Sequence, residues 1–289
     1  MTRKSSISIR LAAVAILMAS LFGLAGTVQA QNAANTRKGG NLVYHGGAVM
    51  INNLNVHLIF AGNWGTSQFP APGATILTDF AGNLGFSAYY RINSEYGNGV
   101  GVPQPFDSGR VDVFFYPPVP SNLTDGDVIN IVNTIYGSSL DPNAVYFVLT
   151  SADISNSNGP GQFCTNYCAY HNAFPSNGQN IKYAFVGNAN RCPSACAPQT
   201  NSPNGDAGID AMALQIALML SSTVTDPIGN AWFDKDFNEI GLKCPRQFGT
   251  TFTAANGSQY NVTLGTRQYL LQELWVNRFN GQAACSLTP

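Results

Sequence analysis

Apolar residues are grouped in short runs along the chain, and four of these runs predict strands, the first of them buried. Proline residues or polar segments follow them, so each run is too short for a helix. The runs are VHLIFA at residues 56–61, VDVFFY at 111–116, VYFVLT at 145–150 and IKYAFV at 181–186.

Helical spacing predicts two helices between these strands. Residues 74–90 carry apolar side chains three and four positions apart, as a helix with one buried face does. Thr124 followed by Asp127 resembles a capping box and predicts a helix near residues 128–136. The apolar positions of the first helix are Ile76, Leu77, Phe80 and Leu84.

The most informative stretch is residues 204–244. It begins as an almost wholly apolar helix, which ends at TVTDP, residues 223–227, because proline does not continue a helix. A turn rich in aromatic and acidic residues follows and ends at Cys244. Such a helix often carries the metal ligands of a secreted peptidase, which makes its polar positions decisive.

The remaining segments complete the secondary-structure prediction. A long loop between the third and fourth strands contains Cys164, Cys168 and His171. Near the C-terminus, Asn256-Gly257 predicts a hairpin over residues 251–263, and RQYLLQELWVNRF predicts a closing helix over 267–279.

This order of elements predicts an α/β (α+β) fold, with a mixed sheet, packed helices, and a C-terminal hairpin and helix. No internal repeat or low-complexity linker divides the chain. We therefore expect a single domain over residues 41–289, after a flexible lead-in at 31–40.

The first 30 residues predict a secretory signal peptide. Arg3, Lys4 and Arg10 form a basic region, an apolar core follows at residues 11–26, and Val28-Gln29-Ala30 is a small-residue cleavage site. The alternative is an uncleaved anchor, but the apolar run is shorter than the roughly 20 residues of a membrane span. We expect the mature chain to begin near Gln31 and to have no membrane-inserted segment.

Charge argues against nucleic acid and anionic membranes as partners. The chain has 14 basic and 15 acidic residues, and three of the basic ones lie in the signal, so the mature chain carries 11 − 15 = −4. No basic stripe is present. Only 10% of residues are charged, which is typical of a loop-rich extracellular domain whose solubility comes from neutral polar groups.

Six cysteines in a secreted chain predict three disulfides. The alternative is a zinc site formed by two C-x-x-x-C pairs, which the oxidising compartment disfavours. Six cysteines allow 15 connectivities, and the sequence does not choose among them. They are Cys164, Cys168, Cys192, Cys196, Cys244 and Cys285.

Three N-x-S/T sequons, at Asn122, Asn256 and Asn261, are candidate N-glycosylation sites of a eukaryotic glycoprotein. Such tripeptides also arise by chance.

Histidine is scarce, and no known catalytic motif is present. His57 lies in an apolar strand, where a core histidine is the simpler interpretation, whereas His45 and His171 lie in predicted loops and are candidate binding residues. The chain has no HExxH pair, no G-x-S-x-G elbow and no P-loop. We expect no metal and no cofactor.

Acidic residues flank the long helix at both ends. Asp206 and Asp210 are candidate binding residues, although capping of the helix N-terminus explains them equally well. After the helix come the candidates Asp226, Asp234 and Glu239, together with Asp236, and we weigh calcium binding or acid–base chemistry against turn-stabilising roles. Trp232 and Phe233 belong either to a packed corner or to a sugar-binding surface, and Trp232 is a candidate binding residue.

Several segments resemble the EXORDIUM/phosphate-induced protein family over essentially the whole mature chain. This resemblance implies a protein secreted to the apoplast or cell wall and involved in growth, and no catalytic activity is established for the family. The segment after Cys196 is shorter than in plant members. The matching segments are YHGGAVMINNLNVHLIFAGNW, YFVLTSADI with FCTNYCAYHNAF, KYAFVGNANRCPSACA, PNGDAGIDAMALQIALMLSSTVTDPIGNAWF and RQYLLQELWVNRFNGQAACS.

A more distant likeness connects TVTDPIGNAWFD to the segment after the metal helix of zincin-like peptidases. In that alignment the metal ligands and the general base fall on Leu218, Met219 and Ser222. Leucine and methionine supply neither an imidazole nor a carboxylate. The likeness implies a zincin-like core without its chemistry.

We therefore expect a secreted extracellular or cell-wall protein that is non-catalytic and acts by binding a glycan or an extracellular protein. The alternative is a divergent secreted hydrolase that uses His45, His171 and the acidic residues after Pro227.

Overall fold

The computed structural model describes residues 40–68, 70–158, 161–279 and 282–289. The predicted signal peptide and most of the lead-in lie outside these residues.

A five-stranded mixed sheet forms the centre of the described chain. Its order is β2-β1-β3-β5-β4; the first four strands are parallel and β4 is an antiparallel edge strand. All four predicted strands are confirmed. The strands are β1 Asn55–Ala61, β2 Val111–Tyr116, β3 Ala144–Thr150, β4 Ala169–Ser176 and β5 Gln179–Val186.

Three helices cover the sheet: α1 (Pro72–Leu84), α2 (Asp125–Tyr136) and α3 (Ala207–Thr225). Side chains of β1 alternate between them, because successive residues of a strand point to opposite faces. Leu58 and Phe60 pack in the core that contains α1 and α3, whereas Ile59 and Ala61 pack with α2. Both faces of the sheet are therefore buried at the central strands β1 and β3, which explains why these two strands are nearly continuous apolar runs. At the edge strand β2, Asp112 and Phe114 stay exposed.

Both helices that the sequence predicts in the N-terminal half are present, but one of them is shorter than predicted. Thr124 and Asp127 make the capping box that opens α2, as predicted. The helix predicted over residues 74–90 is instead two helices, because α1 ends at Leu84 and Ser87 caps a separate turn at Ala88–Arg91.

Helix α3 is the core helix of the protein. Every residue from Gly208 to Thr225 is buried. Among the described residues, α3 is the one helix that is both long enough and apolar enough to cross a membrane. However, 94% of its apolar segment is buried inside the protein. Its composition therefore reflects packing on all sides.

Short strands make up much of the periphery. Val43–Tyr44 pairs with Trp232–Phe233, Val262–Leu264 pairs with Arg267–Tyr269, and a small sheet contains Asn122–Thr124, Ser155–Asn158 and Gly161–Gln162. Phe252–Thr253 pairs with Gln259–Tyr260 and confirms the Asn256-Gly257 hairpin. Short helical turns occur at Ile92–Glu95, Ser108–Arg110, Gly137–Ser139, Ala189–Arg191 and Pro193–Cys196.

The predicted closing helix over 267–279 is wrong. Arg267–Tyr269 and Leu274–Phe279 are strands, and the second pairs with Gln282–Ser286. Leu274, Trp275 and Val276 are consecutive and all buried, so the segment has no single apolar face. Cross-strand pairing therefore overrides a spacing that is compatible with a helix.

All six cysteines form disulfides, as predicted, so the zinc alternative for the C-x-x-x-C pairs is wrong. Two parallel bridges tie the segment before β4 to the short helix after β5, and the third ties the C-terminal hairpin to the segment after α3. The pairs are Cys164–Cys192, Cys168–Cys196 and Cys244–Cys285.

Removing the C-terminal bridge with Cys244→Ala/Cys285→Ala should destabilise the fold. The bridge spans a separation of 41 residues, and loop-closure entropy then predicts a loss of about 4 kcal/mol. Urea unfolding of oxidised wild type and the double variant measures this difference. Equal midpoints would contradict the assignment of the bridge as a major restraint on the C-terminal hairpin.

Candidate functional site

The three positions that the zincin-like alignment marks as catalytic lie inside the core. Leu218 is 2% exposed, and Met219 and Ser222 are 0% exposed. Gly241 packs directly on this part of α3, since a Cβ there would lie 3.0 Å from both the Leu218 carbonyl oxygen and the Ser222 hydroxyl. The region is filled by protein atoms where a metal cleft would need space.

Just beyond these positions, the structure brings three predicted site residues together. We call His171, Asp226 and Glu239 the buried acid–base cluster. His171 Nε2 lies 2.8 Å from Glu239 Oε2, and Asp226 interacts electrostatically with both. His171 is on β4, so the prediction that it lies in a loop is wrong.

Asp226 is held by the turn that follows α3. It is the C-cap of the helix, and Pro227 prevents the helix from continuing. Its Oδ1 accepts hydrogen bonds from the backbone N–H groups of Asn230 and Ala231, both at 2.7 Å. The carboxylate therefore organises the chain as it leaves the core.

The pKa of Asp226 is raised to about 7, first because burial strips water from the carboxylate and then because Glu239 is close. Backbone hydrogen bonds and His171 oppose this rise. Asp226 consequently takes up or releases a proton near neutral pH.

The buried acid–base cluster has little access to solvent. His171, Asp226 and Glu239 are 2%, 1% and 3% exposed. His171 Nδ1 is also buried and lacks a hydrogen-bond partner among the described residues. Within that part of the chain, no three His, Cys, Asp or Glu side chains are arranged to hold a metal ion.

Asp226→Asn should alter the pH dependence of stability. The pKa of Asp226 in the folded protein, about 7, lies above the ordinary value of 3.8. The folded state therefore binds more protons between these values, and wild-type stability falls as pH rises through that window. Asparagine keeps the acceptor oxygen and cannot ionise.

The stability of Asp226→Asn relative to wild type should thus rise between pH 4 and 8, by at most about 4 kcal/mol. Urea unfolding across this range measures it, with Asp206→Asn at the other end of α3 as the control substitution. Parallel pH profiles for wild type and Asp226→Asn would contradict a proton uptake by Asp226.

Three aromatic side chains lie one on another at the surface, near the turn that follows α3. We call His45, Phe233 and Phe237 the aromatic stack. The rings of His45 and Phe233 are 3.7 Å apart at 3°, and those of Phe233 and Phe237 are 5.3 Å apart at 20°. Phe237 is 75% exposed.

Trp232 packs against the core and is not part of the stack. Its Nε1 donates to the Gly97 carbonyl, and its ring packs against Tyr44 and Tyr96. The packed-corner interpretation of Trp232 is therefore the better one. Phe237 is not among the residues that the sequence predicts for a site; the available signal is a second phenylalanine in the polar turn WFDKDFNE.

The aromatic stack is joined to the buried acid–base cluster through one residue. Asp226 holds the N–H of Ala231, and the Ala231 carbonyl accepts the backbone N–H of His45 at 2.7 Å. His45 Nδ1 also lies 3.3 Å from this carbonyl oxygen. Of the predicted residues, His171, Asp226 and Glu239 thus converge, and His45 is linked to them indirectly.

A buried ion pair fixes the loop that carries Phe237. Asp234 Oδ2 accepts a hydrogen bond from Lys243 Nζ at 2.7 Å, and the two side chains are 1% and 0% exposed. Asp234 Oδ1 accepts the backbone N–H groups of Asp236 and Asn238, each at 2.9 Å. The turn-stabilising interpretation of Asp234 is therefore supported. We call residues 234–238 the Asp234 loop.

Lys243→Met should destabilise the protein by about 3–5 kcal/mol, because it leaves the Asp234 carboxylate buried without its cation. Lys235→Met, which removes a lysine that is 77% exposed and pairs with Asp236, is the matched control. Thermal and urea unfolding compare the two. If both variants lose similarly little stability, the buried pair does not have this role.

The other candidates lie apart. Asp206 caps the N-terminus of α3 by accepting the Ile209 N–H at 3.0 Å, and Asp210 accepts hydrogen bonds from Asn204. The 19-residue helix separates them from Asp226 by roughly 25–30 Å. Both residues therefore stabilise the start of α3.

The sequons differ in their surroundings. Asn122 and Asn256 are exposed. The Asn261 amide instead donates to the carbonyls of Phe248 and Leu271, both at 2.7 Å. A glycan on Asn261 would replace one of these donor hydrogens. The Asn256 amide donates to one carbonyl, that of Ser202 at 2.8 Å, and can keep this bond with its remaining hydrogen. Glycosylation is therefore better accommodated at Asn122 and Asn256 and stays a prediction there.

The fold and these sites define a disulfide-stabilised α/β protein with a buried acid–base cluster beneath an exposed aromatic stack. The phosphate-induced protein 1 conserved region matches residues 119–286. This range is more than half of the chain, and the protein belongs to that family.

Plant proteins are among its relatives. EXORDIUM-like 3 of Arabidopsis thaliana is 28% identical over 280 residues, covering 81% of this chain and 80% of its own length. EXORDIUM of the same plant is 26% identical over 247 residues, covering 72% and 74%. PHOSPHATE-INDUCED 1 of Nicotiana tabacum is 25% identical over 280 residues, covering 81% and 85%. No solved structure matches significantly.

Proposed function

We propose that this EXORDIUM-like protein is secreted, is not an enzyme, and acts in cell growth or surface interactions by binding at the cell wall or extracellular surface. The observation that supports this proposal most directly is the contrast between the two sites. The three residues of the buried acid–base cluster are at most 3% exposed, while the aromatic stack is held at the surface.

Secretion is supported by the predicted signal peptide and by the disulfides. Three bridges with no free cysteine in the described chain are typical of an oxidising compartment. The partner is then a cell-wall glycan or an extracellular protein. Nucleic acid is disfavoured by the mature charge of −4, which follows from 11 basic and 15 acidic residues.

A non-catalytic role is supported by the interior of α3. Leu218 and Met219 fill the core where metal chemistry would require polar ligands and an open coordination position. The His171–Glu239 pair is closed off by the same packing.

The second candidate is a degenerate zincin-like hydrolase, and one observation favours it. Asp226 has a pKa of about 7 beside a hydrogen-bonded histidine–glutamate pair, and perturbed carboxyl groups of this kind are common in active sites. An opening of the turn at residues 227–231 would be needed to expose the cluster to substrate.

Expression of the full chain in a secretory host tests the proposal. We expect protein in the medium with an N-terminus near Gln31, retained on isolated cell-wall material, without hydrolysis of a peptide library. Asp226→Asn/Glu239→Gln should be retained on the wall as well as wild type, because the buried acid–base cluster does not face the partner.

Two outcomes would favour the hydrolase instead. One is stoichiometric metal in the natively purified protein together with hydrolysis that chelators abolish. The other is peptide hydrolysis by wild type that disappears in Asp226→Asn/Glu239→Gln while the fold, judged by its circular dichroism spectrum, persists.

A further inference from the structure

Phe237 occupies a position that is unfavourable for folding in two ways. Its φ of 59° is in the left-handed region, where a bulky side chain is an outlier and glycine or asparagine is preferred. Its side chain is also 75% exposed. A phenylalanine that served only the fold would be expected neither at a positive φ nor exposed to solvent. The two observations together indicate a role at the surface.

The protein holds this ring in a fixed place. The Asp234–Lys243 pair and the backbone hydrogen bonds of Asp234 set the shape of the Asp234 loop. One face of the Phe237 ring stacks on Phe233, which in turn stacks on His45. The ring is therefore preorganised, and binding to it requires little further ordering.

The exposed apolar area is smaller than the apolar part of a standard protein interface. Val43, paired with Phe233 in the short sheet, is 55% exposed and Phe237 is 75% exposed. With the stacked rings, these side chains present roughly 300–400 Å². A standard protein complex buries about 800 Å² on each partner, of which roughly 450 Å² is apolar. The area suits a ligand built from ring-sized units.

The charges around the stack suit a neutral, hydroxyl-rich ligand. Lys235 and Asp236 are 77% and 50% exposed and pair at 2.9 Å, so they add no net charge. Between them they present N–H donors and carboxylate acceptors next to Phe237. Aliphatic C–H groups of a pyranose carry partial positive charge and pack on the negative face of an aromatic ring.

We propose that the aromatic stack, with Phe237 at its exposed end, is a binding surface for the pyranose rings of a neutral polysaccharide. The proposal rests on the binding function proposed above and names its ligand class. Phe237 supplies the ring face, while Lys235 and Asp236 hydrogen-bond the sugar hydroxyls.

Calorimetry with the mature full-length protein and cellohexaose, mannohexaose, laminarihexaose or hexagalacturonic acid tests the proposal. We expect at least one neutral hexasaccharide to bind wild type and Phe237→Tyr, and Phe237→Ala to bind it at least tenfold more weakly. Phe252→Ala is the matched control, because Phe252 is also exposed, at 54%, and packs against the ring of Tyr260. It should bind within twofold of wild type.

A further variant separates binding from folding. Phe237→Asn should abolish sugar binding and unfold in urea at a midpoint equal to or above that of wild type, because asparagine tolerates the left-handed conformation. Loss of binding in this variant cannot then be attributed to unfolding.

Three results would overturn the proposal: no neutral hexasaccharide binds, Phe237→Ala binds as tightly as wild type, or sedimentation reveals a dimer that Phe237→Ala dissociates. Retention on cell-wall material is measured in parallel. If the wall retains wild type and Phe237→Ala equally, the sugar surface is wrong but the proposed binding function stands. If the wall does not retain wild type, the proposed function fails as well.

Discussion

The carboxylate of Asp226 is the constraint on which the functional region depends. It lies at the end of a 19-residue core helix, is 1% exposed, and accepts two backbone N–H groups from the turn that follows. Those hydrogen bonds place Ala231, whose carbonyl positions His45 against Phe233. This cap, together with the pairing of Val43–Tyr44 with Trp232–Phe233, fixes the stack relative to the end of the helix.

Buried polar groups perform the same task on both sides of this turn. Asp226, near His171 and Glu239, fixes the inner side, and Asp234 with Lys243 fixes the loop that carries Phe237. Desolvated charges are costly unless they are well hydrogen-bonded. The protein thus uses its buried charges to specify the shape of one surface loop, and the apolar core supplies the stability that offsets their cost.

The family match places most of this arrangement in a recognised region. Residues 119–286 include His171, Asp226, Phe237 and Glu239, whereas His45 and strand β1 precede it. The exposed stack therefore combines a ring from the N-terminal part of the described chain with two rings from the family region. The Val43–Tyr44 and Trp232–Phe233 pair is the contact that joins them.

Local patterns determined the four parallel strands, the capping box at Thr124, the Asn256-Gly257 hairpin and the disulfide state of the cysteines, because each depends on neighbouring residues or on compartment. Tertiary contacts decided the rest. The closing helix became paired strands because Leu274, Trp275 and Val276 are buried together. His171 met Glu239 only through the antiparallel placement of β4, and Phe237 gained its role only through stacking on Phe233. Contacts between residues distant in sequence carry no local signature, so only the folded chain reveals them.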